Sequence, residues 1–406
     1  MPAEIRPAET EEMGAFRQVA RRALLIPSSV APPDAVDAIR PEWTLCAFED
    51  KELATSYAWW PLKMRLNGKS SPVAGITYVG THPAFRRKGH LRKIVGRHFE
   101  IMHEEGRRFI AALHASRAAI YKRFGYAVVS LQNSYYLAPD QIVFARNITY
   151  PAESGRIYEP SDGGRDIIKD IYHRFCAERT GYIHRARATW DAGVLARPSE
   201  DNTLFRIVYE ENGVPQGYVI YEAGPEKPER IRHGHRVVIR DMAWLSPRAY
   251  YSLWHHFSGM DLAGGISWPR APADDPLFHM ICEPGQLNIK TRDGLMARIV
   301  DAEGALCQRG YDARGSICFE LEDELCPWNR CRWLLEVQDG EAGVRRTKKQ
   351  PDFSLHADTL AMLFFGFINA TAAWRTGLID VFKPEAISLA DRLFATQYQP
   401  FCPDFF

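Results

Sequence analysis

Between residues 73 and 102 a β-prone run, a strongly basic turn and a helical run follow one another, an order that few folds accept. Val73, Ala74, Ile76, Tyr78 and Val79 crowd the first run. Leu91, Ile94, Val95, His98, Phe99 and Met102 recur at helical spacing in the last. Between them stands Arg86-Arg87-Lys88-Gly89-His90-Leu91. Such a turn presents backbone N–H groups at the positive end of a helix dipole, which suits a pyrophosphate. Gly89 lets the backbone approach phosphates closely, and Arg86, Arg87 and Lys88 add charge-assisted contacts. Taken alone, the hexamer reads equally as a solvated basic helix start.

The next segment adds a second signal. Arg107 to Leu113 reads as a strand, Ala115 to Phe124 as a short helix, and Gly125 as its left-handed cap. Ala127-Val128-Val129 is a further strand. Strand, R-x-x-G-x, helix, strand and then A-I-Y-K-R-F-G-Y resemble the GNAT superfamily of acyl-CoA-dependent N-acyltransferases. Arg86, Gly89 and Leu91 hold the positions of its Q/R-x-x-G-x-G/A loop, with Leu91 departing from the small residue at the end.

A chain of 406 residues exceeds one ordinary core and implies two or three domains. With 46% hydrophobic and 25% charged residues it has an ordinary soluble composition. A net charge of +1 gives no global attraction to nucleic acid or anionic membrane, so neither is expected as a partner. Arg345, Arg346, Lys348 and Lys349 read as a solvated loop. The eight cysteines form no C-x-x-C pair, and Cys326 and Cys331 lack the accompanying histidines of a zinc site, so no metal is expected. The polar start carries no secretory signal, which implies reduced cysteines and a cytoplasmic protein. The longest apolar run, Leu360 to Trp374, is interrupted by Asn369 and Thr371 and reads as a buried helix.

Three sections follow. Residues 1–145 open with a helix whose Met13, Phe16, Val19, Ala20 and Ala23 share a face, then antiparallel strands over Trp43 to Phe48 and Ala54 to Pro61. Residues 146–293 repeat that rhythm: a helix over Arg165 to Arg179, strands flanking Glu211-Asn212-Gly213, the strand Val237 to Trp244, and a helix from Ser246. No glycine stands where the phosphate loop should be, so this section reads as a degenerate GNAT-like domain unable to bind CoA. The third section, 294–406, runs from Leu295 to Asp301 into a turn-rich sheet. Its D-E-L-C-P-W-N-R-C-R-W-L-L-E-V, A-D-T-L-A-M-L-F-F-G and G-L-I-D-V resemble a sterol-carrier-protein fold.

This layout resembles the Eis (enhanced intracellular survival) family over essentially the whole chain. Thr81-His82-Pro83, Ile120-Tyr121-x-Arg123-Phe124-Gly125-Tyr126 and Ile299-Val300-Asp301 carry the likeness. The resemblance implies an α+β / α/β architecture: tandem GNAT-like domains, each a mixed sheet flanked by helices, then a sterol-carrier-like α+β domain. It implies acetyl-CoA as donor, a small-molecule or peptide amine as acceptor, and a homohexamer. It assigns Tyr121 as the acid that protonates the departing sulfur and Phe406, through its main-chain carboxylate, as the base; Ser116 and Arg117 meet the CoA tail.

Several residue-level readings stand beside it. Val79, Gly80 and Thr81 would offer backbone groups to the pantetheine arm if the strand end splays, and Arg86 through Arg92 would hold the pyrophosphate. Tyr126 is the rival phenol, His114 and Asp404 are rival bases, and a helix N-cap explains Ser116 as well. The tail from Tyr398 to Phe406, aromatic and proline-stiffened, should be tied down. Trp43, Trp59, Trp60 and Phe85 are candidates to shape an acceptor pocket, and a helix–strand core would absorb them just as well. Relatives acetylate aminoglycosides or protein lysines, but Arg17, Arg21 and Arg22 weigh against a polycationic acceptor. The alternative to an enzyme is a non-catalytic acyl-CoA- or lipid-binding module.

Overall fold

The computed structural model describes residues 3–26, 39–145, 155–198, 201–225 and 234–406. The expected boundary between 145 and 146 falls at the edge of a segment outside the described residues. Three sheets organise the described residues. The first has seven strands in the order Glu4–Arg6, Cys46–Glu49, Glu52–Leu66, Lys69–Thr81, Ile110–His114, Leu295–Ile299 and Ala127–Val128. The second, also of seven, runs Lys290–Asp293, Leu131–Leu137, Ala263–Pro272, His235–Trp244, Val214–Pro225, Thr203–Glu211 and Gly155–Tyr158. The third has five: Glu341–Arg346, Arg332–Gln338, Gly315–Glu322, Phe353–His356 and Ile379–Val381.

Sheet membership departs from the linear sections in two places. Leu131–Leu137, expected in the first section, is a strand of the second sheet. Leu295–Ile299, expected to open the third, inserts antiparallel between Ile110–His114 and Ala127–Val128 of the first sheet. All five of its residues are buried, as befits a central strand covered on both faces. The two exchanged passages meet at one point. Gly294 N donates to Ser130 O at 2.9 Å and Leu295 N to Ser130 Oγ at 2.8 Å.

Local chemistry explains the elements that frame the first sheet. The helix Met13–Ala23 buries Met13, Phe16, Val19 and Ala20 against it. The helix His90–Glu105 buries Ile94, Val95, His98, Phe99 and Met102, and Gly106 ends it in the left-handed conformation. In the second sheet, Asn212 and Gly213 both take positive φ (51° and 76°), the demand of a tight hairpin turn. Side chains alternate between two cores along the first sheet: Ala74, Ile76, Ala111 and Leu113 enter the core under the helix His90–Glu105. Val73, Ile110 and Ala112 enter a larger core shared with the third sheet and the helix Ala357–Phe364. One hydrophobic core therefore binds the sterol-carrier-like section to the first domain.

A buried ion pair pins that junction. Arg298 Nη2 lies 2.6 Å from both Asp323 oxygens, and its Nε donates to Phe124 O at 3.1 Å. Among the described residues no helix is long and apolar enough to cross a membrane.

Candidate functional site

The strands Lys69–Thr81 and Ile110–His114 run parallel but pair only at Ala74↔Ala111 and Gly75↔Ala112. Beyond that point they diverge. A bulge lies where the register against the neighbouring strand shifts between Ser56 and Ala58, and Tyr78 takes a φ of 51° there. Bulges bend and twist a strand, which accounts for the splay. Val79–Thr81 thus lack a partner strand on this side, where an extended amide-bearing arm could pair, although Gly80 O already accepts from Ser56 Oγ and Thr81 O from Arg86 Nε, each at 3.3 Å.

Just past the gap the chain makes a short 3-10 turn at Pro83–Phe85 and then enters the helix at His90. Gly89 is the residue before the helix, with φ 81° and no side-chain cap, so the first helical N–H groups point outward unshielded. A Cβ at Gly89 would meet nothing within 4 Å, so the glycine serves the left-handed backbone rather than a close contact. Arg86, Arg87, Lys88 and Arg92 are exposed around this terminus, and Leu91 is half-buried in the core beneath. His90 is buried, with Nε2 3.1 Å from Glu49, and Glu49 also pairs with Lys88. Lys88 holds the Glu49 carboxyl below its ordinary range. Glu49 is a residue the sequence did not flag; its only signal there was an acid in a turn. The donor set fits a pyrophosphate: outward N–H groups, three exposed guanidinium groups and an ammonium.

Ser116 and Arg117 follow the strand Ile110–His114 and are exposed. The helix here is Ala118–Lys122 with Arg117 before it, so Ser116 is not its N-cap. Tyr121 is buried at 8% exposure in the same cluster as Ile76, Val79 and Leu113. Burial pushes its phenol up to about 12, so it keeps its proton across the physiological range. Tyr126 packs edge-on to it at 5.8 Å and is wholly buried, with burial raising its phenol further.

The end of the chain reaches the gap from the opposite face. The Phe406 ring lies against Gly75, where a Cβ would come within 2.9 Å of it and 2.5 Å of Leu62. Any side chain there would oblige the Leu62 and Phe406 side chains to shift. His114 packs on Phe405 at 4.5 Å and on Phe406 at 5.4 Å, and its Nε2 donates to Asp404 O at 2.8 Å. Burial pushes His114 down to about 4, leaving it neutral with that N–H committed. Asp404 is equally committed: its Oδ1 accepts from Arg185 Nε at 2.8 Å, and burial raises its carboxyl against the pull of that guanidinium. Both rival bases thus tie the tail to the body of the protein through these bonds.

The second domain holds the tail. Its strands His235–Trp244 and Ala263–Pro272 also cease to pair beyond Val238↔Ser267. Phe401 and Pro403 fill that opening, leaving about 10 Å³ beside Asp241, Trp268 and Arg270. Arg185 grips Asp241 as well as Asp404, and Tyr218 donates to Asp241 at 2.6 Å. The following helix, Pro247–Ser258, is closed at its start by Pro247 and by Ser246 Oγ, which accepts from Ala249 N at 3.1 Å.

Of the four aromatics expected to shape an acceptor pocket, Trp59 is core instead, stacked on buried His98 at 4.4 Å. Trp43 and Trp60 lean on each other at 5.9 Å, and Phe85 lies under Lys88 at 5.0 Å.

Comparison with known proteins matches these parts. Residues 4–129 and 181–299 each match a family model described as an acetyltransferase (GNAT) domain, and 302–403 match a sterol carrier protein domain. An uncharacterized N-acetyltransferase of Streptomyces avermitilis is 29% identical over 344 residues, 83% of this chain and 82% of its own length. N-acetyltransferase Eis of Mycobacterium tuberculosis is 26% identical over 337 residues, 80% and 78% of the two chains. The crystal structure of Eis1 from Mycobacterium abscessus superposes with a TM-score of 0.84 at 27% identity, covering 99% of this chain and 100% of that one. A GCN5-related N-acetyltransferase from Anabaena variabilis shares the fold over both whole chains, with a TM-score of 0.85 at 22% identity.

Proposed function

The chain belongs to the Eis-type GNAT N-acetyltransferases, with two GNAT domains and a sterol carrier protein domain, and from that premise we propose direct acetyl transfer to a primary amine at the strand gap of the first domain. Acetyl-CoA supplies the acetyl group as a thioester. Arg86 through Arg92 hold its pyrophosphate, Ser116 and Arg117 its tail, and the open edge at Val79, Gly80 and Thr81 its pantetheine arm. Tyr121 gives its proton to the departing sulfur. The carboxylate of Phe406 takes the proton from the attacking amine, with no covalent enzyme intermediate. The observation that carries this reading is the gap itself, bordered on one face by a protonated phenol and on the other by Phe406 against Gly75.

His114 and Asp404 act as positioning residues for the tail, since both are consumed in holding it. The second GNAT domain serves as a scaffold, because tail residues fill its opening and its helix start is capped. Acceptors are amines of small molecules, polyamines or peptide lysines, used by a cytoplasmic homohexamer. The experiment is thiol release from acetyl-CoA across polyamines, aminoglycosides and lysine peptides, comparing the chain that ends at Phe406 with one extended after it. Amine-dependent turnover that the extension abolishes is expected. Turnover indifferent to the extension removes Phe406 as the base, and CoA binding without turnover on any amine favours a non-catalytic acyl-CoA-binding module.

A further inference from the structure

We propose that the cleft where the first and second domains meet, built from Lys63, Arg65, His173 and His184, binds a phosphate-class dianion at a site separate from the strand gap. This does not rest on the acetyl-transfer reading. The segment 181–184 of the second domain pairs along the far end of the strand Glu52–Leu66. Gly181 N donates to Arg65 O, Arg65 N to Tyr182 O and His184 N to Lys63 O, each at 2.8 Å. Met64 bridges to Ile183, and both enter the large shared core. Alternation therefore sends Lys63, Arg65 and His184 to the opposite face. The helix Arg165–Phe175 crosses that face and brings the His173 ring edge-on to His184 at 5.1 Å. With Ser70 at its rim, these groups line a cavity of about 170 Å³.

The chemistry of the cleft is one-sided. No carboxylate lines it, and none of the four basic groups forms an ion pair among the described residues. Arg65 spends one N–H on Gly68 O at 3.1 Å and keeps the rest of its fork. His184 is depressed by burial first, then by the charges of His173, Lys63 and Arg65. Like charges gathered without a counter-ion repel one another, and an anion in their midst relieves that repulsion. Two permanent cations, two imidazoles and a hydroxyl match the charge and acceptor oxygens of a phosphate better than those of a monoanionic carboxylate. The space is below the roughly 300 Å³ at which pockets for drug-sized ligands begin, so it takes a phosphate or the phosphate end of a small monoester. Because its walls come from both domains, occupancy stabilises their docking.

The test is calorimetric titration of the full chain with inorganic phosphate against chloride of matched ionic strength. The background carries Arg87→Gln and Lys88→Gln, which weakens phosphate binding at the helix start. Saturable one-site binding is expected there, weakened at least tenfold when Lys63→Gln and Arg65→Gln are added, and preserved in Lys63→Arg. Acetyl transfer by Lys63→Gln/Arg65→Gln in the natural background should be unchanged. Glycerol phosphate binding as well as phosphate identifies a monoester ligand, and phosphate alone identifies the free ion; either outcome supports the site. Acetate binding equally well, no saturable heat, or heat surviving the substitutions overturns it. If the double substitution fails to fold, His173→Asn with His184→Asn, both exposed side chains, carries the same test.

Discussion

A phenol can protonate a departing thiolate only if it holds its own proton beforehand and if the thiolate is basic enough to take it. Burial of Tyr121 secures the first condition, pushing the phenol up to about 12. The second is met by an alkyl thiolate, whose free value of about 8.5 lies above physiological pH. Tyr121→Phe should therefore keep acetyl-CoA affinity by calorimetry while turnover falls by roughly 10²–10⁴-fold. Equal loss of both would make Tyr121 a packing residue, and unchanged turnover would remove it from the mechanism. The short motif singled out both phenols. That Tyr126 is completely buried beside Tyr57 and Arg298 was not legible, since it depends on distant parts of the fold.

Elements were legible where their signals are local. The basic turn, the strand and the helix on either side of it and the Asn212–Gly213 hairpin are all set by spacing and by a few special residues. The exchange of Leu131–Leu137 for Leu295–Ile299 was not legible, because a strand's sequence states its faces but not its partner. The strand Glu52–Leu66 extends beyond the expected run because its last residues form a hairpin with Lys69–Ala74 across Asn67–Gly68, and on their other side they pair with 181–184 of another domain. Distant contacts also set the pH response of the second domain. Asp275 is wholly buried before the short helix Leu277–Met280, accepting from Tyr250 at 2.7 Å and from Leu277 N at 3.1 Å. Burial raises its carboxyl to about 7. A folded value above the unfolded one, about 3.9, means stability is fully present below the unfolded value and is lost as pH rises through the folded one. The expected slope is up to ~1.4 kcal/mol per pH unit between those limits. Thermal midpoints should fall from about pH 4 to about pH 7 in the natural chain and stay flatter in Asp275→Asn. Parallel profiles for the two would rule out Asp275 as the source.

At the scale of the whole molecule, the three domains share one end of the chain. The tail lies in the opening of the second domain, is pinned by Arg185, and delivers Phe406 to the opening of the first. That the tail is tied down was legible in its prolines and aromatics; what ties it was not, because Arg185 and Asp241 are ordinary charges until the fold buries them together. The arrangement makes tail docking and turnover a single quantity on the proposed mechanism. Asp404→Asn keeps the shape of the side chain and leaves the Arg185–Asp241 pair, but loses the charge-assisted bond to Arg185, worth about 1.5–3 kcal/mol. Turnover should fall about tenfold or more, the equivalent of ~1.4 kcal/mol, with acetyl-CoA affinity unchanged because the basic turn proposed to hold its phosphates lies elsewhere. The sharper reading comes from combining Asp404→Asn with the extension after Phe406. If both act by displacing one carboxylate, the second change adds little to the first, whereas independent effects would multiply. Multiplicative losses would separate the Asp404 anchor from the base and require another group to take the amine proton.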